Sequence, residues 1–242
     1  MTLKPKLVTE LAEVYEDRVI TEKHELVIHG MDVGSLPKQV GWLMNVKPDA
    51  IVQPQTPEEI KFLYKFANKY KVPLVPRGAG TSGYGGAIPR KGGIIVDMRV
   101  MDKVVEIDEE NMTVTVEPGL SWANLQFELN RKNFDLRCYP SSGLSATIGG
   151  WVAQGGDGIG SLKYGNINKN VVAFEVVLPT GKIVKSKDCD LFCDTEGILG
   201  IITKVTLKIK PLTPIKVIVS SFPENYLMVH AIEKILEDGP LP

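Results

Sequence analysis

Glycine placement constrains this chain more than any other feature. Of its 23 glycines, 16 lie between Gly78 and Gly165. Glycine tolerates positive φ and lets backbone approach a ligand with no Cβ in the way. The span divides into two patches, Gly78–Gly93 and Gly143–Gly165, on either side of a glycine-poor stretch. Two close-approach loops are expected, in a chain of 242 residues, 43% hydrophobic, with ample material for a core.

Regular elements surround the patches. Thr56-Pro57-Glu58-Glu59 has the chemistry of a helix start: a cap, a proline at the first position and acids beside the positive helix end. Ile60, Leu63, Phe66, Ala67 and Tyr70 then recur at helical spacing, with Lys61, Lys65, Lys69 and Lys71 on the solvated face. Ala50-Ile51-Val52 before this helix and Val72–Pro76 after it complete a β-α-β unit, and Gly93–Asp97 adds a strand. Val104–Asp108 and Met112–Val116 alternate and read as a hairpin, as do Val171–Leu178 and Lys182–Val184 around Pro179-Thr180-Gly181. Ser121 caps a helix carrying Trp122, Leu125 and Leu129, and Gly200–Ile209 is a long alternating strand ending at Pro211. Ile215–Ser220 reads as a strand and Tyr226–Leu236 as an amphipathic helix, a pair with no partner strands, for which a further domain or partner chain is expected. Residues 1–47 mix short helical patterns with turns such as Met31–Pro37 and read as a surface-packed segment. The interleaving predicts an α+β fold with mixed sheets.

With 28 basic and 29 acidic side chains, the net charge of −1 gives no electrostatic case for nucleic acid or an anionic membrane. Cys138, Cys189 and Cys193 contain no C-x-x-C pair, which suits a reducing compartment and argues against a zinc site. No apolar run follows Met1–Lys6, and no stretch approaches the roughly 20 apolar residues of a membrane span. A soluble, cytoplasmic protein without a metal site is expected.

Gly78-Ala79-Gly80-Thr81-Ser82-Gly83 satisfies G-x-G-x-x-G, but a dinucleotide-binding turn must run into a helix. Here Tyr84–Gly93 contains Gly85, Gly86, Pro89, Gly92 and Gly93, which excludes one. Successive glycine-rich peptides can still expose N–H groups as an anion nest, with Thr81 and Ser82 adding hydroxyls and Arg77 charge. Pro140-Ser141-Ser142-Gly143-Leu144-Ser145-Ala146-Thr147-Ile148-Gly149-Gly150 is again rich in hydroxyls and glycine. Two such loops favour a long ligand with a pyrophosphate in its middle.

These residues resemble a known family. Pro76-Arg77-Gly78-Ala79-Gly80-Thr81-Ser82 with Gly85-Gly86 resembles the first flavin-binding loop of the vanillyl-alcohol oxidase/p-cresol methylhydroxylase superfamily. Ala146–Ala153 with Gly155-Gly156 resembles its second loop, and Thr195-Glu196-Gly197-Ile198-Leu199-Gly200-Ile201-Ile202-Thr203 its closing signature. Within it the chain is most similar to the glycolate oxidase/D-lactate dehydrogenase type of FAD-linked 2-hydroxyacid dehydrogenase. Asp32, Pro37 and Pro48-Asp49 extend that likeness.

The resemblance implies a p-cresol methylhydroxylase-type FAD-binding domain over 48–212, with subdomains of about 48–104 and 105–212 and FAD between them; 213–242 would begin an incomplete C-terminal cap domain. It implies that Pro76, Arg77 and Gly78 through Gly83, with Gly85 and Gly86, wrap the pyrophosphate. Pro140, Ser141, Ser142, Ser145, Thr147, Gly149, Gly150 and Trp151 would flank diphosphate and flavin. Glu196, Gly197, Ile201 and Ile202 would complete the site. Members that attach FAD covalently carry histidine where Thr81 stands, so non-covalent FAD is implied. The activity implied is oxidation of a small 2-hydroxy acid such as D-lactate or glycolate, with electrons passed to an acceptor such as an iron–sulfur subunit, in an assembly that can be oligomeric. The acids and bases acting on substrate lie mostly in the family's cap, so no catalytic residue is assigned. Two alternatives stand: a non-catalytic FAD-holding or electron-transfer subunit of a larger redox complex, and a relative of UDP-N-acetylenolpyruvylglucosamine reductase. Asp157 reads as a turn residue, while Tyr84 and Tyr164 are open between flavin contact and packing.

Overall fold

A computed structural model describes residues 3–34 and 47–239. Helix α1 (Pro5–Tyr15) and strand β1 (Val19–Ile20) precede α2 (Lys23–His29). The β-α-β unit follows as β2 (Ala50–Val52), α3 (Pro57–Tyr70) and β3 (Leu74–Arg77). Thr56 caps α3 by accepting from the Glu59 amide, and Ile60, Leu63, Phe66 and Ala67 are its buried stripe. β4 (Ile94–Asp97) then inserts between β2 and β3, parallel to both, while β1 pairs antiparallel with β2. The strand order is β1-β2-β4-β3.

The second sheet begins with the hairpin β5 (Val104–Asp108) and β6 (Thr113–Val116), followed by α4 (Trp122–Asn130), capped by Ser121, and β7 (Phe134–Leu136). Three short helices come next, α5 (Ile148–Gln154), α6 (Ser161–Tyr164) and α7 (Ile167–Asn170). The hairpin β8 (Val171–Val177) and β9 (Ile183–Ser186) leads to β10 (Ile201–Pro211). The antiparallel order is β5-β6-β10-β8-β9, with β7 on the far end of β10. One mixed and one antiparallel sheet, each with helices, make the fold α+β.

Three expectations are corrected, and a fourth falls partly outside the described residues. Residues before 47 are not merely packed on the surface: Leu11 and Tyr15 are fully buried in the first core, and β1 joins the sheet. Of the turn Met31–Pro37, residues 35–37 lie outside the described residues. The second glycine patch is not an open loop throughout, because Thr147 caps α5 and Gly149 and Gly150 lie inside that helix. Ile215–Ser220 forms no strand, since nothing among the described residues pairs with it; Ile215, Val217, Ile218 and Val219 are exposed, as is the helix α8 (Asn225–Asp238) that follows.

Candidate cofactor site

The two glycine patches meet. The loop leaving β3 and the segments around Pro140–Ser142 and α5 line a single cleft of about 480 Å³, closed at one side by Glu196, Gly197 and the start of β10. Contact between the halves is tightest at Gly78, where a Cβ would overlap the Thr147 hydroxyl. Gly197 lies on the Pro76 ring, and Gly86 faces the Glu196 carboxylate, which a Cβ would reach at 3.0 Å. Glu196 holds a left-handed φ of 49°, fixed by donation of its amide to the Ala153 carbonyl at 2.8 Å.

The first loop supplies donors. Among the described residues, the amides of Ala79, Gly80, Thr81, Ser82, Gly83 and Gly86 have no acceptor within the protein. Arg77, at 8% exposure, folds its guanidinium over Gly80, whose φ of 69° and missing Cβ leave room for it. Its Nη1 is buried without a partner among the described residues. Burial and the neighbouring Arg99 pull the guanidinium below its usual pKa range, against Asp97 and Asp32, which favour its charge. A buried cation short of an acceptor, beside a row of open amides, calls for an anion.

The second patch works differently. Gly149 spends its amide on the Pro118 carbonyl at 2.8 Å and lies flat on that proline, where a Cβ would overlap the ring. Gly150 donates to the Thr147 hydroxyl at 3.3 Å. These glycines therefore supply small surface to the cleft, not amides. Trp151 walls it and is backed edge-on by Trp122, ring centroids 5.2 Å apart.

Most of the expected residues line the cleft: Pro76, Arg77, Gly78 through Gly83, Gly86, Pro140, Ser141, Ser142, Thr147, Gly149, Gly150, Trp151, Glu196, Gly197, Ile201 and Ile202. Two do not. Gly85 turns its N–H to the Asp32 carboxylate, and Ser145 stands exposed in a turn that returns its amide to the Ser142 carbonyl. Asp157, read as a turn residue, lines the cleft, as does the exposed Tyr84, whereas Tyr164 lies beneath the cations Arg137 and Lys163. Met98, Pro118 and Gln154 also line it, brought there by tertiary packing and without a local motif to announce them, as does Ala153 at the end of the second-loop motif.

A family model described as an FAD binding domain matches residues 48–187. The chain belongs to this FAD-binding family. It is 34% identical over 230 residues to the mitochondrial D-lactate dehydrogenase [cytochrome] of Arabidopsis thaliana, covering 90% of this chain and 39% of that protein. To glycolate oxidase subunit GlcD of Bacillus subtilis (strain 168) it is 35% identical over 189 residues, 74% of this chain and 40% of that one. The solved structure of an alkyldihydroxyacetonephosphate synthase superimposes with a TM-score of 0.85 at 28% identity, covering 98% of this chain and 50% of that one. The chain thus spans about two fifths of the length of these curated relatives. FAD is the cofactor, and the cleft suits it: open amides and an Arg77 Nη1 without a partner among the described residues suit a diphosphate, and small residues and Trp151 suit flat rings. No helix among the described residues is long and apolar enough to cross a membrane.

Proposed function

We propose that this chain is the FAD-holding part of a flavin-dependent dehydrogenase acting on a small 2-hydroxy acid such as D-lactate or glycolate. The observation that carries the reading is the run of amides and the Arg77 Nη1 left without partners among the described residues, side by side in the cleft of an FAD-binding family member. In this reading the first loop and Arg77 hold the diphosphate between subdomains of about 48–104 and 105–212. Pro140–Ser142, Thr147, Gly149, Gly150 and Trp151 flank the rings, and Glu196, Gly197, Ile201 and Ile202 close the site. Bound FAD supplies the capacity to accept a hydride. The chain's own residues bind it, orient it and screen it from water. Attachment is non-covalent, because Thr81 stands at the loop and His24, His29 and His230 lie off the cleft. Electrons leave for an acceptor such as an iron–sulfur subunit, and the setting is the cytoplasm, consistent with three free cysteines.

Purified protein should show a flavin visible spectrum or acquire one with added FAD, and D-lactate or glycolate should then bleach it. Failure to bind FAD ends the reading. A second reading, a non-catalytic FAD-holding or electron-transfer subunit, is favoured by the exposed apolar residues of 215–219 and α8, which offer surface for another polypeptide. Hydroxyacid-dependent dye reduction by the chain alone would refute it.

A further inference from the structure

The first glycine loop is held from outside. Residues 32–34, leading out of α2, lie across it. The Val33 amide donates to the Ser82 carbonyl at 3.2 Å. The Asp32 carboxylate divides its oxygens: Oδ1 accepts from the Gly34 amide at 2.9 Å, Oδ2 from the Gly85 amide at 2.7 Å, 53 residues away in sequence. Gly34 sits so closely on Gly83 that a Cβ on Gly34 would overlap the Gly83 carbonyl, whereas a Cβ on Gly83 would reach Gly34 only at 3.9 Å. Of the loop amides from 79 to 86, that of Gly85 is the one engaged, among the described residues, by a side chain from outside the loop.

We propose that Asp32 is a positioning residue of the FAD site: by taking the Gly85 amide it makes residues 32–34 a strap that holds the open amides of the first loop in the shape an anion requires. The inference rests on the FAD reading. Its physical sense lies in preorganisation, since a glycine-rich loop loses much conformational entropy when ordered, and ordering it before the ligand arrives removes that cost from binding. The sign of the charge separates this role from a merely electrostatic one. A carboxylate close to an anion site repels the anion, so if Asp32 acted through charge alone its neutralisation would tighten FAD binding. Acting through geometry, its neutralisation loosens binding. Asparagine keeps the shape but offers one acceptor where two amides need one each, and its NH₂ would face an N–H.

The test uses the full chain. In Asp32→Asn the dissociation constant for FAD should rise about tenfold to a hundredfold, the worth of a hydrogen bond to a charged acceptor. In the FAD-free protein, amide hydrogen exchange at Val33, Gly34 and Gly85, whose amides the strap engages, should accelerate while β4 keeps its protection. Unchanged or tighter FAD binding, or unchanged exchange at these three amides, overturns the proposal. Gly34→Ala decides the matter if Asp32→Asn does not fold: its Cβ would overlap the Gly83 carbonyl and lift the strap, so FAD binding should weaken and exchange at Val33 and Gly85 accelerate, and unchanged binding or unchanged exchange refutes the strap. If wild type itself takes up no FAD, the FAD reading fails, while exchange in the FAD-free variants still decides whether the strap orders the loop.

Discussion

Gly78→Ala tests whether the cleft depends on the contact between its halves. The φ of Gly78 lies outside the left-handed region, so alanine meets no backbone strain there and the whole penalty is space. The new methyl would overlap Thr147 Oγ1 and lie 3.2 Å from Thr147 Cβ and 3.4 Å from Cγ2. Thr147 is 4% exposed and its hydroxyl caps α5, so it cannot turn aside without giving up the Gly150 amide. A lost cap costs about 1 kcal/mol, and a backbone shift that avoids losing it costs about 1–3 kcal/mol. Gly78→Ala should therefore destabilise the FAD-free protein by about 1–3 kcal/mol, or about 2–4 °C per kcal/mol in a chain of this size. Thr147→Ala alone should cost about 1 kcal/mol. In the double variant the overlapping oxygen is gone and only the 3.2 Å Cβ approach remains, so it should be scarcely less stable than Thr147→Ala. Urea unfolding of the four proteins measures the coupling, expected at about 1 kcal/mol or more in the compensating direction. Additivity to within about 0.5 kcal/mol would refute the argument that Gly78 is glycine to make room for the α5 cap.

Three further outcomes are expected. Arg77→Met should leave the FAD-free protein as stable as wild type or more so, because a buried cation without an acceptor is removed, while FAD affinity falls about tenfold or more; thermal unfolding with and without FAD reads both, and parallel losses would refute it. Asp97 is wholly buried, accepting from Arg99 at 2.7 and 2.9 Å and Gln53 at 2.9 Å; burial works against its ionisation, but these donors and His29 hold its carboxyl well below the usual range. Its contribution is then complete near neutral pH and lost as pH falls from about 5 towards the lower folded-state value, so Asp97→Asn should cost about 3–5 kcal/mol near neutral pH and flatten the acid limb of a stability–pH curve. Burial pushes the Cys193 thiol up to about 12, so iodoacetamide near neutral pH should modify it only after unfolding, as peptide mass mapping would show.

Where one rule dominates a stretch, its structure is legible from sequence. Helix α3 carries a cap, a first-position proline and an uninterrupted apolar stripe, and its residues 57–70 follow from those signals. The two hairpins and the lining of the first loop follow equally from alternation and glycine density. The second patch misled because glycine usually argues against helix, yet Thr147 supplies a cap and Pro118 a flat surface that only Gly149 can approach. Ile215–Ser220 misled for the opposite reason, since β-prone composition forms no strand without a partner. Gly85 and Ser145 carry the right residue types in the right motifs, but their amides are taken by Asp32 and Ser142, and neither pairing leaves a trace in local sequence.

The closing segment also shows why the cleft lies where it does. A regularly alternating strand would place Ile202 and Val205 on opposite faces, yet both belong to the core of the second sheet with Leu207 and Ile209, while Ile201 belongs to the core of the first with Val177. The register between β10 and β8 slips between Ile202 and Lys204, and the displaced Thr203, fully buried, donates its hydroxyl to Glu175, whose carbonyl and carboxylate both lie at 3.1 Å. This bulge resets the alternation, so the strand buries one isoleucine in each core at the point where the two cores meet. The same two residues form part of the cleft lining. A ligand gripped there touches both cores at once, so FAD binding should resist separation of the two halves as well as occupy the space between them, and the stabilisation it confers should extend to β10 and α3 alike.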